Sequence, residues 1–579
     1  MRTPFLRFDF PHPFCFKDPI RVIQADSLAE VRPALHAVQA AADAGCYAAG
    51  YVAYEAAPAF DPALQVSALP SSLPLLWFGV FTEPCAPLAQ EPGECQVSEW
   101  KADGDFGRYQ QVIHDIRAGI AAGDVYQVNH TFRLGARFEG DAYTFYQRLR
   151  SAASPPFAAY LDIGSHQIVS ASPELFFQRE GVQITTRPMK GTRRRGRWRE
   201  EDDKIAAELR ASEKDRAENV MIVDLLRNDL GRLALPGSVH VPRLFEIERY
   251  PTVWQMTSTV EAGLRPETTL EEIFGALFPC GSVTGAPKIS AAHFIARHET
   301  TPRQIYCGAI GYLTPHHEAV FSVAIRTALL EAETGRIEYG VGSGIVWDSD
   351  PAAEYEEAWS KAAVLAEPSK FDLLETLRWE DGAYALLDRH LDRLMASAAY
   401  FGFDASRDVV QAALLAHGRQ RAEGAWRVRL RLPPSGIPQI ESAPLLPLPP
   451  APLPVALAGM PISRADQFLC HKTTRRVVYE AYRQGWPDCF DVLLWNEEKE
   501  LTEFTIGNLM IEQGGRLWTP PRECGLLDGT QRAELLAEGR LQERILRRED
   551  LAAASGIWLI NSVRGCVPVT FPGKLKEDG

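Results

Sequence analysis

The sequence predicts a multidomain α+β protein, and three of its features carry that prediction. Short apolar stretches with strand character recur through most of the chain. Segments with helical period interrupt them. At 579 residues the chain exceeds what one core can serve, so about two to four domains are expected.

Residues 1–100 are rich in Ala, Pro and aromatics, with strand-like stretches at Ala48–Tyr54 and Leu75–Phe81. The spacing of Val112, Ile116 and Ile120 predicts a helix over Tyr109–Ala122. Strands are expected around Val125–Leu134, Phe157–Ile163, His166–Ala171 and Leu175–Arg179. Residues 200–234 read as one long helical region, with Ile205, Leu209, Val220, Val223, Leu226 and Leu230 on or near one face. Cys307–Leu313, Ala319–Leu330 and Arg336–Ile345 then read as strands of one large mixed sheet. The helical pattern of Glu354–Ala366 stops at Pro368, so a short joint is expected near 366–370. Beyond it, nine prolines within Pro433–Pro454 resist helix and central strand, which predicts a stiff crossing between two subdomains. The expected domains are thus 1–100, 101–367 and 371–579.

Hydrophobic residues at 46% and charged residues at 23% are ordinary for a soluble globular protein. A formal net charge of −14 argues against a nucleic-acid binder. The basic run from Lys190 to Arg197 reads by itself as a solvated loop. Ten cysteines contain no C-x-x-C pair, so zinc-site spacing is absent. Neither a secretory apolar segment nor 18 uninterrupted apolar residues occurs, so the expected setting is cytoplasmic, without a membrane.

Four segments of the first part carry chemistry. They are Ser170-Ala-Ser-Pro-Glu174, Thr186-Arg-Pro-Met-Lys190-Gly-Thr, Glu218-Asn-Val-Met-Ile-Val-Asp224, and Gly342-Ser-Gly344 leading to Glu354-Tyr-Glu-Glu357. Taken singly, a lysine after a strand is usually solvated, and paired glycines usually mark turns. Together with Gly281-Ser-Val-Thr-Gly285-Ala-Pro-Lys288, Cys307-Gly-Ala-Ile-Gly-Tyr312 and Ala324-Ile-Arg326-Thr, they make seven motifs in order. This set resembles the chorismate-utilising enzymes, which include anthranilate synthase component I, isochorismate and salicylate synthases and aminodeoxychorismate synthase component I.

The resemblance implies a site for a dicarboxylate. Arg326, Tyr312 and backbone groups around Gly342 and Gly344 would hold the enolpyruvyl carboxylate, with Gly285 in the same substrate-binding set. Mg²⁺ would hold the ring carboxylate through Glu218 and Glu357, with Glu354 nearby. Glu174 matches the family's general acid. Lys190 matches the nucleophile that separates 4-amination from 2-amination, where relatives carry a small residue. A separate glutamine amidotransferase subunit is expected to supply ammonia. Gln255 stands where many relatives carry His.

The C-terminal third presents Asp388-Arg-His-Leu-Asp-Arg393, Cys470-His-Lys472, Leu501-Thr-Glu503, Asn508, Leu527-Asp-Gly529-Thr530-Gln531 and Asn561-Ser562-Val-Arg564. This order resembles the fold-type IV pyridoxal-phosphate enzymes, among them aminotransferases and aminodeoxychorismate lyase, and implies a two-subdomain fold. Lys472 would carry pyridoxal 5'-phosphate and Glu503 would pair with its ring nitrogen. Arg393, Thr530, Gln531 and Ser562 would hold the phosphate, and Arg564 the substrate. The family's strand-rich opening reads as shortened, because Phe371 follows the first part almost directly. A homodimer through this domain is left open. So are three outcomes for the second half: a lyase yielding 4-aminobenzoate on the folate route, an aminotransferase, or an inactive partner-binding module.

Overall fold

The computed structural model describes residues 3–10, 13–86, 93–365, 371–421 and 423–572. It divides into two compact units, Met1–Arg194 with Ala206–Pro368, and Arg195–Ile205 with Ser369–Gly579. The joint expected near 366–370 lies outside the described residues.

In the first unit the strands form two antiparallel sheets rather than one mixed sheet. One sheet runs through Gln127–Gly140, Arg336–Ile345, Thr327–Glu331, His166–Ser172, Phe157–Asp162 and Phe5–Asp9. The other runs through Met189–Arg194, Val253–Gly263, Gln183–Arg187, Leu175–Glu180, Ala319–Val323, Ala309–Leu313 and Tyr47–Val52. Residues from both sheets, Phe8, Tyr51, Ile168, Tyr312 and Val320 among them, share one buried aromatic cluster. Helices cover the two outer faces. Leu28–Asp43, Glu213–Gly231 and Leu270–Leu277 pack on one, and Phe106–Ala122, Ala142–Ala153 and Lys288–His298 on the other. The result is a helix–sheet–sheet–helix layering.

Local chemistry explains where elements start and break. Asp105 caps Phe106–Ala122 by accepting from the Arg108 amide at 2.8 Å, and Gly123 ends that helix at φ +82°. The region 200–234 is two helices, Arg199–Ala211 and Glu213–Gly231, because Ser212 turns extended and caps the second. Val220, expected on the buried face, is 37% exposed. Ala319–Leu330 is likewise two strands, Ala319–Val323 and Thr327–Glu331, split by Arg326 at φ +51°. Each half joins a different sheet.

A buried charge network ties these layers. Glu299 accepts from Arg303 and from Thr131, and pairs with Arg133 at 3.3 Å. Burial alone would raise the Glu299 pKa, yet Arg303 and Arg133 outweigh it and hold the group at about 2.

The second unit has a four-stranded antiparallel sheet that includes Leu373–Glu380 and Trp426–Leu432, with Leu387–Phe401 and Arg407–Gly418 completing its core. Its other part is an eight-stranded sheet in which Leu501–Phe504 pairs with both Asp491–Trp495 and Gly507–Gln513, closing a ring of strands. The proline-rich segment is not purely a crossing: Gln439–Pro444 forms an edge strand on Trp426–Leu432, a position where proline's missing amide costs nothing. Arg195–Ile205 also belongs to this unit, where the Tyr400 hydroxyl donates to the Gly196 carbonyl at 2.7 Å. Three arginines of the basic run are paired inside the chain. Arg193 pairs with Asp215, Arg195 with Asp202 and Arg197 with Glu201.

Candidate active sites

The first site forms where the chain passes between the two sheets. Ser172 ends a strand of one sheet and Leu175 begins a strand of the other, leaving Glu174 in the crossing. The Arg326 crossing lies alongside it: the Val323 amide donates to the Glu174 carbonyl at 3.1 Å, and the Ala171 amide to the Arg326 carbonyl at 3.0 Å. Glu174 is 3% exposed and accepts from the Ser282 hydroxyl at 2.6 Å. Burial pushes its pKa up to about 7, against the opposing pull of Ser282 and Lys190.

Lys190 sits on Met189–Arg194, within electrostatic reach of Glu174, Glu218 and Glu357. Burial lowers its pKa despite those carboxylates. The backbone just after it is braced by Gln255, whose amide nitrogen donates to the Gly191 carbonyl at 2.9 Å while its oxygen accepts from Thr192 at 2.8 Å. A neutral amide can do both at once, which a neutral imidazole can do only through its two separate ring nitrogens.

Gly344 lies against the same lysine. A Cβ there would meet Gln127 Nε2 at 2.2 Å and Lys190 Nζ at 3.1 Å. Gln127 itself is 1% exposed, and neither amide atom has a hydrogen-bond partner among the described residues. An unsatisfied buried amide is costly unless a ligand completes it. Sequence reasoning missed Gln127, because one amide inside an apolar strand looks like ordinary alternation.

The remaining predicted residues divide. The Arg326 guanidinium, its pKa lowered by burial, has no carboxylate partner among the described residues and interacts electrostatically with Tyr339 and Tyr250. The Gly342 carbonyl accepts from Lys361 at 2.8 Å, and Gly285 pairs with Val128 across the sheet. Tyr312 is a correction. Its hydroxyl, expected to help hold the enolpyruvyl carboxylate, instead donates to the Phe10 carbonyl at 2.9 Å within the inter-sheet aromatic core. Strand alternation fixes that direction.

Glu218, Glu354 and Glu357 remain electrostatically linked around Lys190. Burial raises the Glu218 pKa, with Glu354 adding to the rise. Glu357 pairs with Lys361 at 2.8 Å, which lowers its pKa against the effect of burial. Glu354 accepts from Ser349 at 2.7 Å. Among the described residues no three ligating side chains form a closed cage. An open set of one or two carboxylates still fits Mg²⁺, which keeps several waters and takes ligands from its substrate.

The second site is a cavity of about 580 Å³ lined by Thr376, Arg393, Lys472, Glu503, Thr530, Ser562 and Arg564, among others. Burial, with Arg393 and Arg476 adding, lowers the Lys472 pKa to about 8. Glu503 is raised by burial to about 7, and its carboxylate accepts from the Tyr479 hydroxyl at 2.8 Å and the Asn508 amide at 3.2 Å. Arg393 is held in a fork by Glu375 and donates to the Asp528 carbonyl. His390, unforeseen in the sequence, links the set: Nδ1 meets Glu375 at 2.6 Å, and Nε2 meets Ser562 at 2.9 Å and Thr530 at 3.2 Å. Burial alone would raise the Glu375 pKa, but Arg393 and His390 hold it at about 2. Gln531, second residue of the helix Thr530–Ala537, does not line the cavity.

These donors fit pyridoxal phosphate. The helix beginning at Thr530 has no side-chain cap, so its free amides, the Ser562 hydroxyl and Arg393 can receive a phosphate. Buried Glu503 suits a ring nitrogen, and Lys472 suits a carbonyl-bearing cofactor.

Comparison with known proteins agrees with this geometry. The family of chorismate binding enzymes matches residues 9–367, and amino-transferase class IV matches residues 372–570. The chain is 41% identical over 272 residues to aminodeoxychorismate synthase component 1 of Salmonella typhimurium, covering 47% of this chain and 60% of that one. It therefore spans about three-fifths of that relative's length. It is 36% identical over 339 residues to anthranilate synthase component 1 of Methanothermobacter thermautotrophicus, covering 54% and 72%. The crystal structure of anthranilate synthase component I from Streptococcus pneumoniae superposes with a TM-score of 0.51 at 26% identity, over 63% of this chain and 91% of that one. The chain belongs to the chorismate binding enzymes, and it carries a class IV amino-transferase domain behind that family's own.

Proposed function

We propose that the chain makes 4-aminobenzoate in two steps: it aminates chorismate to 4-amino-4-deoxychorismate, then eliminates pyruvate. The observation that carries the first step is a lysine within electrostatic reach of a buried acid. Relatives that carry out 2-amination and 4-amination both resemble this chain, and Lys190 favours the second.

In this mechanism Glu174 protonates the departing C4 hydroxyl while the neutral Lys190 amine attacks C2 and the ring double bonds shift. Burial favours that neutral amine. Ammonia then adds at C4, the double bonds shift back, and Lys190 leaves as a free amine. Arg326 holds the enolpyruvyl carboxylate. Glu218 and Glu357 would hold Mg²⁺, and that ion would supply positive charge for the ring carboxylate. A separate glutamine amidotransferase subunit supplies the ammonia.

For the second step, Arg393, Thr530 and Ser562 would hold the cofactor phosphate, and Glu503 would keep a proton at the ring nitrogen. Bound pyridoxal phosphate supplies an electron sink. Lys472 removes the proton at C4 of the substrate, after which pyruvate departs and the ring becomes aromatic.

Incubation of the holoenzyme with chorismate, ammonium and Mg²⁺, followed by chromatography, tests the whole reading. 4-Aminobenzoate and pyruvate are expected in equal amounts. Lys190→Ala is expected to abolish 4-aminobenzoate while leaving some 2-amination, because the resembling 2-aminating enzymes carry a small residue at this position. Amino transfer to 2-oxoglutarate without pyruvate release would replace the lyase by an aminotransferase.

A further inference from the structure

The second cavity carries more positive charge than its cofactor uses. Seven basic side chains line it, against the two carboxylates Glu480 and Glu503. Arg393 is already matched by Glu375, and Arg429 has Glu441 at 3.7 Å. Arg427 and Arg564 have no carboxylate partner among the described residues. Arg564 spends one nitrogen on the Leu446 carbonyl, and Arg427 faces Arg378 across the strand pair.

On Trp426–Leu432, Val428, Leu430 and Leu432 are buried in the core, so Arg427 and Arg429 project from the opposite face, which lines the cavity. Burial and the like charges of Arg427 and Arg378 lower the Arg564 pKa. Guanidinium groups held together without a counter-ion are completed by an anion, and their planar forks suit carboxylates.

We propose that Arg427 joins Arg564, for which the family resemblance already implies substrate binding, in a carboxylate clamp that makes the second site selective for dicarboxylate over monocarboxylate ligands. The inference rests on the reading of this cavity as a lyase site and deepens it. An amine bearing two carboxylates, one on the ring and one on its enolpyruvyl arm, satisfies the clamp, whereas a simple amino acid leaves it half empty.

The full-length holoenzyme is titrated with isophthalate and, separately, benzoate, following the cofactor absorbance band. Each added charge-assisted contact contributes roughly ten- to a hundred-fold in affinity, so isophthalate should bind the wild type at least about tenfold more tightly. Arg427→Gln and Arg564→Gln should each erase most of that preference while keeping the band. The same variants should raise KM for 4-amino-4-deoxychorismate with kcat nearly unchanged. Equal affinities in the wild type, or an unaltered preference in both variants, overturn the clamp. Should one variant lose the band, its Lys counterpart, which keeps the charge without the fork, is titrated instead; a retained cofactor with no loss of preference counts against the clamp. If the wild type releases no pyruvate yet keeps a preference that both variants abolish, the lyase reading fails and the clamp stands.

Discussion

At residue scale the first site depends on two protonation states set by burial in opposite senses. In the proposed first step Glu174 must be protonated to act, and its pKa is raised to about 7. Its active form is therefore present below pH 7 and lost as the pH rises. As the proposed nucleophile Lys190 must be neutral, so its active form grows with pH, and burial moves that growth downward. The first-step kcat/KM at fixed free ammonia should therefore be bell-shaped, and its alkaline limb, approaching tenfold per unit, sets in only where Lys190 is also fully neutral. Glu174→Gln should remove that falling limb and lower kcat by about 10²- to 10⁴-fold. A profile that keeps the same alkaline limb in the variant assigns the acid to another group. Motif order singles out both residues in the sequence, and the structure buries both within electrostatic reach of each other. Tyr312 was misread because a motif does not report which face of a strand a side chain takes, and alternation sends it into the aromatic core. His390 was invisible because its role depends on Glu375 and Ser562, distant in sequence.

At element scale the sequence reported apolar period well and breaks poorly. Ser212 and Arg326 each divide a segment that reads as continuous, because a cap or one left-handed residue leaves the hydrophobic pattern intact. The division at Arg326 matters most, since it sends consecutive strands into different sheets and leaves the guanidinium at the crossing. The strand Arg336–Ile345 then brings Gly344 against Gln127 and Lys190. Gly344→Ala is expected to displace the far ends of these flexible side chains rather than backbone, so the fold should survive. Misplacing a nucleophile by about 1 Å costs roughly 10²-fold. First-step turnover should fall by that order while the thermal midpoint stays within a few degrees. A variant with normal turnover would falsify the close packing at Lys190.

At the scale of the whole molecule, the residues proposed for the two chemistries belong to different compact units. Lys190, Glu174 and Arg326 lie in the first, and Lys472, Glu503 and Arg393 in the second. The segment Arg195–Ile205 joins the second unit although it follows the Lys190 strand directly, and nothing in a linear pattern signals such a return. Sequence order suggested two successive blocks because motifs report chemistry, whereas unit membership depends on contacts made far along the chain. Lys472→Ala removes the amine that would carry the cofactor and the base that would act at C4. The residues proposed for the first step belong to the other unit. The variant is therefore expected to lose the visible cofactor band and all enzymatic 4-aminobenzoate, while 4-amino-4-deoxychorismate accumulates at close to the wild-type first-step rate. Chromatography reports the trapped product, and absorbance reports the lost cofactor linkage. Continued 4-aminobenzoate formation at the normal rate would remove the lyase role from residues 371–579. Loss of the first step in a folded variant would mean that Lys472, or the cofactor it holds, also supports chemistry at Lys190, so the two units could not be treated as independent catalysts.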